Sequence, residues 1–232
     1  RCVEGEEREK LVLVEQEPLI AVAGVAARKR DGQTVSGDTG AWLKREDGSL
    51  YVLLCDGMGS GPEANRESAQ AADLLEDFLQ AGVRPEAALR TLSAALALRG
   101  EETGGFTTID LLGVDLFTGQ AAVYKYGAAP TYLKKGASVA RIAGSALPAG
   151  LVGGEGAAPD VTQLQLEPGD WILLLTDGVA GSESDLWIRE RFRDFDGSSP
   201  KELAQALIDE SAQHGGATDD RTALVLKIGA RR

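Results

Sequence analysis

The hydrophobic pattern changes period several times along the chain, and each change marks an element. Leu50-Tyr51-Val52-Leu53-Leu54-Cys55 reads as a buried strand that runs directly into Asp56, with glycines at 57, 59 and 61 beyond it. Pro62 then opens a helix. Trp171-Ile172-Leu173-Leu174-Leu175-Thr176 repeats the design and ends in Asp177-Gly178. Leu11 to Val14 and Leu19 to Ala26 read as earlier strands. A strand from Asp38 through Leu43 faces the Leu50 strand across the turn Glu46-Asp47-Gly48-Ser49. Asp38 and Asp56 lie almost equally far from that turn, so pairing places them at one end of the hairpin.

Between Glu63 and Ala81, residues Ala71, Leu74, Leu75, Phe78 and Leu79 make one helical stripe, closed by Gly82. Pro85 opens a second helix carrying Ala88, Leu92, Ala95, Leu96 and Leu98. Alternation returns from Phe106 to Phe117 and from Ala121 to Tyr126, followed by short strands around Tyr132 and Val139, which together read as an antiparallel meander. Ala149 to Ala158 is glycine-rich without periodicity and reads as a mobile loop. Val161 to Leu166 and the strand at Trp171 are expected to resume the sheet across Glu167-Pro168-Gly169-Asp170. Ser199-Pro200-Lys201-Glu202 is a capping box that opens a helix to about Gln213, and Ala223 to Ile228 is the last strand. Neither an internal repeat nor a linker interrupts the pattern, so one domain is expected, residues 21–232, behind a lead-in of residues 1–20 that could close a preceding regulatory segment.

Composition narrows the function. The 232 residues are 43% hydrophobic and 26% charged, ordinary for a soluble globular chain, and no apolar run reaches membrane-spanning length. A net charge of -12 argues against a nucleic-acid partner and fits acidic clusters neutralised by cations. Cys2 and Cys55 have no zinc spacing, and a reducing, cytoplasmic setting is the simpler reading. The chain starts at Arg1 without a signal peptide, and is expected to be a domain cut from a longer protein, with a membrane anchor elsewhere in it as one option.

Taken singly, Asp-Gly is an ordinary turn. Here Asp38, Asp56, Asp177 and the pair Asp219-Asp220 each lie at a glycine-rich or polar junction touching a strand end. Gathered carboxylates raise one another's pKa unless a cation sits among them. An all-oxygen set suits Mg2+ or Mn2+, and two such ions about 3.5 to 4 Å apart are a standard device for attacking a phosphoryl group with water.

Gly37-Asp38, Asp56-Gly57-Met58-Gly59, Thr107-Thr108, Thr176-Asp177-Gly178 and Asp219-Asp220-Arg221-Thr222 occur in the order found in the metal-dependent Ser/Thr protein phosphatases, the PPM or type 2C superfamily. The chain resembles that family from about Val22 to Ile228. Val35-Ser36-Gly37-Asp38-Thr39, Cys55 to Gly61, Leu147-Pro148-Ala149-Gly150 and Asp185-Leu186-Trp187 are closer to one bacterial branch, the phosphatase domain of stage II sporulation protein E. The resemblance implies an α+β fold of two antiparallel sheets sandwiched between helices. It implies two Mn2+ or Mg2+ ions, bridged by Asp56 with the Gly57 carbonyl on one and Asp177 and Asp219 on the other. Asp38 would bind a metal directly or through water, and Asp220 could exchange roles with Asp219. Met58 stands where eukaryotic members have histidine, and no arginine matches their phosphate-binding arginine. The resemblance further implies a phosphorylated anti-sigma-factor antagonist as substrate, in sporulation or stress signalling, and control through the helices from Glu63 to Arg99, with a regulated homodimer as one form of it.

Other phosphatase chemistries fail on inspection. Cys55 has Gly61 where a cysteine nucleophile needs arginine, and His214 lies in a polar turn. Arg28-Lys29-Arg30-Asp31-Gly32 reads as a solvated basic turn. Asp194-Phe195-Asp196-Gly197-Ser198, which mimics an aspartyl-phosphate motif, follows charged residues and reads as a charged loop. The expected activity is hydrolysis of phosphoserine or phosphothreonine, with catalysis by Asp56, Asp177 and Asp219. The alternatives are a non-catalytic binding module of the same fold and a two-metal phosphodiesterase.

Overall fold

The computed structural model describes residues 2–3, 10–11, 15–103, 105–151, 158–181, 184–214 and 218–231. Two five-stranded antiparallel sheets lie at its centre. The first runs β10 (Asp160–Gln165), β7 (Gln120–Tyr126), β6 (Thr107–Asp115), β5 (Ser49–Gly57), β4 (Asp38–Lys44). The second runs β3 (Leu19–Arg28), β12 (Arg221–Ala230), β11 (Trp171–Leu175), β8 (Thr131–Lys135), β9 (Ser138–Ile142). A short antiparallel pair, β1 (Cys2–Val3) with β2 (Lys10–Leu11), precedes them. Helices α1 (Pro62–Gln80) and α2 (Pro85–Thr103) cover the outer face of the first sheet, and α4 (Leu186–Asp194) and α5 (Pro200–Ser211) that of the second.

The continuous apolar runs are central strands buried on both faces. In β5, Leu50, Val52 and Leu54 enter the core between the sheets while Tyr51, Leu53 and Cys55 pack beneath α1 and α2. In β11, Ile172 and Leu174 face between the sheets, and Leu173 and Leu175 face α5. Because side chains alternate along a strand, Asp56 continues the Leu50, Val52, Leu54 series toward the space between the sheets.

The predicted ends of the helices are present. Pro62 starts α1 after Gly61, whose φ of 83° excludes most other residues. Gly82 at φ 84° closes it, with amide bonds from Gly82 to Leu79 O and from Val83 to Phe78 O. Ser199 caps α5 by accepting from the Glu202 amide at 3.3 Å.

Several expectations are corrected. β10 and β11 do not continue one sheet: β10 is the edge strand of the first and β11 lies inside the second, so the chain changes sheets at Glu167 to Asp170. The meander likewise divides, because β8 and β9 belong to the second sheet. The charged residues before Asp194 form α4, held by Ile188 and Phe192, which are both fully buried and one helical turn apart. In α2, Leu89 is fully buried and Leu98 is 74% exposed, so the buried face is Ala88, Leu89 and Leu92. The expected strand residues Val12 to Val14 and loop residues Val152 to Ala157 lie outside the described residues. Among the described residues no helix is long and apolar enough to cross a membrane.

Candidate metal centre

The Asp47-Gly48 turn sets the register of β4 and β5. Arg45 N bonds Ser49 O at 2.8 Å, and Asp38 falls directly opposite Asp56. Gly57 follows where α1 comes so close that a Cβ would stand 2.0 Å from Ala64 O. The second sheet brings its aspartates to the same end: Asp177 begins the short helix α3 (Asp177–Ala180) after β11, and Asp219 precedes β12. A Cβ on Gly178 would lie 1.9 Å from Asp220 O, so glycine is required for these two segments to meet.

Asp38 joins the sheets. Its Oδ2 accepts the Thr222 hydroxyl at 2.6 Å and the Thr176 hydroxyl at 3.0 Å, and the Thr176 hydroxyl in turn accepts the Thr222 amide at 2.9 Å. Its Oδ1 is buried without a hydrogen-bond partner. Asp220 does something else. It is 2% exposed, and its two oxygens accept the backbone amides of Arg30 and Gly37, each at 2.7 Å. It thereby ties the β3–β4 connection to the start of β12. Asp219 accepts the Asp220 amide at 2.8 Å and is less enclosed.

The electrostatics show how closely the carboxylates feel one another. Burial, then the charges of Asp38, Asp177 and Asp219, push Asp56 up to about 9. A hydrogen bond with Asp177 adds to the rise, since one carboxyl must be protonated to donate it. Asp38 rises to about 6 through burial, which outweighs the Thr222 and Thr176 hydroxyls, with Asp220 and Asp177 adding repulsion. Asp219 is also raised by burial, and Arg30 opposes that rise.

Among the described residues no three His, Cys, Asp or Glu side chains already form a closed metal cage. The donor set nevertheless fits a hard cation. All its groups are oxygens, Asp38 Oδ1 lacks a partner, and the Asp56 carboxyl is pushed up by burial and by neighbouring carboxylates whose charge a cation would neutralise.

Residues 46–229 match the family model described as stage II sporulation protein E (SpoIIE). The chain belongs to the SpoIIE family. It is 29% identical over 212 residues to stage II sporulation protein E of Priestia megaterium, covering 88% of this chain and 36% of that protein. The chain therefore spans about a third of the relative's length. The solved PP2C phosphatase domain of Bacillus subtilis SpoIIE, with a fragment of its regulatory domain, superposes with a TM-score of 0.82 at 28% identity, covering 92% of this chain and 64% of that one. The catalytic domain of the Ser/Thr phosphatase PstP, solved with two manganese ions, has the same fold at 21% identity and a TM-score of 0.69, over 91% of this chain and 99% of that one. The two-sheet, helix-flanked architecture expected from the sequence is thus the PP2C fold of the SpoIIE family.

Three features of this SpoIIE-family domain escaped the sequence reading. Thr176 and Thr222 stood in the quoted motifs, but their role as the hydroxyl pair on Asp38 depends on contact between β11 and β12. Arg30 sits at the site's edge rather than in a purely solvated turn: its amide meets Asp220, its guanidinium lies 3.4 Å from Ser60 Oγ, and its charge reaches Asp219. The third is a buried ion pair, Asp110 with Lys125, between the sheets.

A pH dependence follows from the raised carboxyls. Asp56 has a folded pKa of about 9 against an ordinary 3.8, so between those values the folded, metal-free chain holds a proton that the unfolded chain has lost. That contribution is complete below about pH 4 and disappears as pH rises through about 9. The melting temperature of metal-free protein is expected to lose this contribution across that range, while the increase produced by Mn2+ grows. Calorimetry at a series of pH values, with chelator or Mn2+, checks this. A Mn2+ shift independent of pH would mean that the carboxyls release no proton on binding.

Proposed function

We propose that this domain is a protein phosphatase that removes phosphate from phosphoserine or phosphothreonine by in-line attack of water. The supporting observation is the convergence of Asp38 and Asp56 from one sheet with Asp177 and Asp219 from the other, around a carboxylate oxygen with no partner. Asp38, Asp56, Asp177, Asp219 and the Gly57 carbonyl would hold two Mn2+ or Mg2+ ions. When bound, such ions lower the pKa of coordinated water and neutralise phosphoryl charge.

The chain's own residues supply the rest. Thr176 and Thr222 hold Asp38 in orientation, and the Arg30 and Gly37 amides on both Asp220 oxygens support Asp219 rather than Asp220 as the ligand of the adjacent pair. Arg30 meets the phosphate from the polar side of the mouth, beside Gln33 and Ser60. A covalent phosphoenzyme is not needed. Cys55 is fully buried with its thiol pKa pushed far up, and His214 is stacked on Trp187 at 4.6 Å. The substrate class we propose is a phosphorylated anti-sigma-factor antagonist in the cytoplasm, with regulation through a homodimer, and the catalytic unit is residues 21–232 together with Leu19 and Ile20, which open the strand β3.

The test is turnover of a phosphoserine protein and of a dinucleotide, each with Mn2+ and with chelator. Mn2+-dependent release of phosphate from the phosphoprotein alone is expected. Cleavage of the dinucleotide alone would replace the reading with a phosphodiesterase, and inactivity on both would replace it with a binding module.

A further inference from the structure

The mouth of the site has two unlike sides. Arg30, Gln33 and Ser60 form the polar one. On the other, Met58, Leu147 and Leu151 are 46%, 55% and 47% exposed. Apolar residues scattered singly over a surface are ordinary, but Met58 directly follows Gly57, and Leu147 and Leu151 flank Ala149 on a neighbouring segment.

The backbone fixes their relation. Gly57 is hydrogen-bonded to Gly37 on one side and paired with Thr107 on the other. Thr107 exchanges two amide bonds with Ala149, at 3.1 and 2.9 Å. Four segments therefore lie side by side, and Ala149 stands two strand spacings, about 10 Å, from the carbonyl assigned to a metal. Nor are Leu147 and Leu151 on a frayed loop. Ala149 between them is fully buried, Gly150 N bonds Ser93 Oγ of α2 at 3.2 Å, and Leu151 N bonds Pro148 O at 3.2 Å. Two exposed leucines are held on a clamped backbone beside the reacting centre.

We propose that Leu147 and Leu151, with Met58 at the margin, form an apolar subsite for a side chain of the protein substrate about three residues from the phosphorylated one, a separation that an extended peptide advancing about 3.3 Å per residue covers in about 10 Å. This rests on the phosphoprotein reading above. The subsite selects among phosphoproteins by the residue beside the phosphate, while the polar side receives the phosphate itself.

The test uses the whole chain with Mn2+, p-nitrophenyl phosphate, and two phosphoserine peptides that differ only in carrying Leu or Gln three residues to either side of the phosphoserine. Wild type is expected to favour the Leu peptide by about tenfold in kcat/KM. In Leu147→Gln/Leu151→Gln that ratio falls to about one, whereas Leu147→Met/Leu151→Met keeps it; reading the ratio cancels any general loss of turnover. Equal use of the two peptides by wild type, or a preference that survives the Gln substitutions, overturns the subsite. If wild type fails to hydrolyse even p-nitrophenyl phosphate, the phosphatase reading itself has failed and the subsite goes with it.

Discussion

Replacing Asp56 by Asn is expected to lower phosphatase turnover by about a thousandfold or more while leaving a folded protein that, without metal, is more stable than wild type at alkaline pH. Both effects have one origin. Asp56 stands opposite Asp38 in the hairpin and within the field of Asp177 and Asp219, which with burial raises it to about 9. In the proposed centre its carboxylate serves both ions, so an amide there weakens two sites together. In the metal-free protein burial and the neighbouring carboxylates make this carboxyl hold its proton well above the ordinary range, and Asn has no proton to lose. Below about pH 4 the two proteins should melt alike, and above it Asp56→Asn should gain steadily until about pH 9. Phosphate release with Mn2+ and melting curves with chelator, across that range, measure the two halves. Normal turnover by the folded variant would sink the metal centre, and parallel melting profiles would show that Asp56 is not the strained carboxyl.

How far the sequence revealed this arrangement depends on the distance over which each feature is determined. The opposition of Asp38 and Asp56 was legible because an Asp-Gly turn fixes the register of a hairpin and a period of two carries it to the far end. Runs such as Leu50 to Cys55 and Trp171 to Leu175 were legible as strands because burial on both faces removes alternation. The sheet to which each strand belongs was not, since β10 and β11 adjoin in sequence and separate only through their pairing with β7 and β12. Helix α4 was hidden because two buried residues in nine give a weak stripe. Asp219 and Asp220 could not be told apart by position in a non-periodic loop. What separates them is the amides of Arg30 and Gly37, which lie far away in the chain. The Asp110 and Lys125 pair did leave a signal: the Thr118-Gly119 turn sets them opposite each other, and each interrupts an apolar face of its strand.

That pair carries the largest expected effect on stability. Asp110 is 1% exposed and Lys125 2%, and Lys125 Nζ donates to Asp110 Oδ2 at 2.7 Å and to Ala129 O at 2.6 Å. The Thr131 hydroxyl meets the same Asp110 oxygen at 2.5 Å, while Oδ1 is buried without a partner. Burial dominates both partners, raising the Asp110 carboxyl and lowering the Lys125 ammonium, and each offsets the other's shift only in part. Removing one partner strands the other, so Lys125→Met is expected to cost about 3 to 5 kcal/mol in urea unfolding. Asp110→Leu/Lys125→Met should recover most of that loss, because two apolar side chains need no desolvation of charge. The sign of the pH effect identifies the cause. A stranded Asp110 has a folded pKa above its ordinary 3.8, so protonation stabilises the fold and the deficit of Lys125→Met should shrink at about pH 5 relative to about pH 8. An equal deficit at both pH values would mean that lost packing of the lysine stem, rather than an unpaired charge, destabilises the variant. If the double substitution is no better than the single one, Asp110 and Lys125 hold the sheets in place by shape and hydrogen bonding rather than by compensating one another's charge.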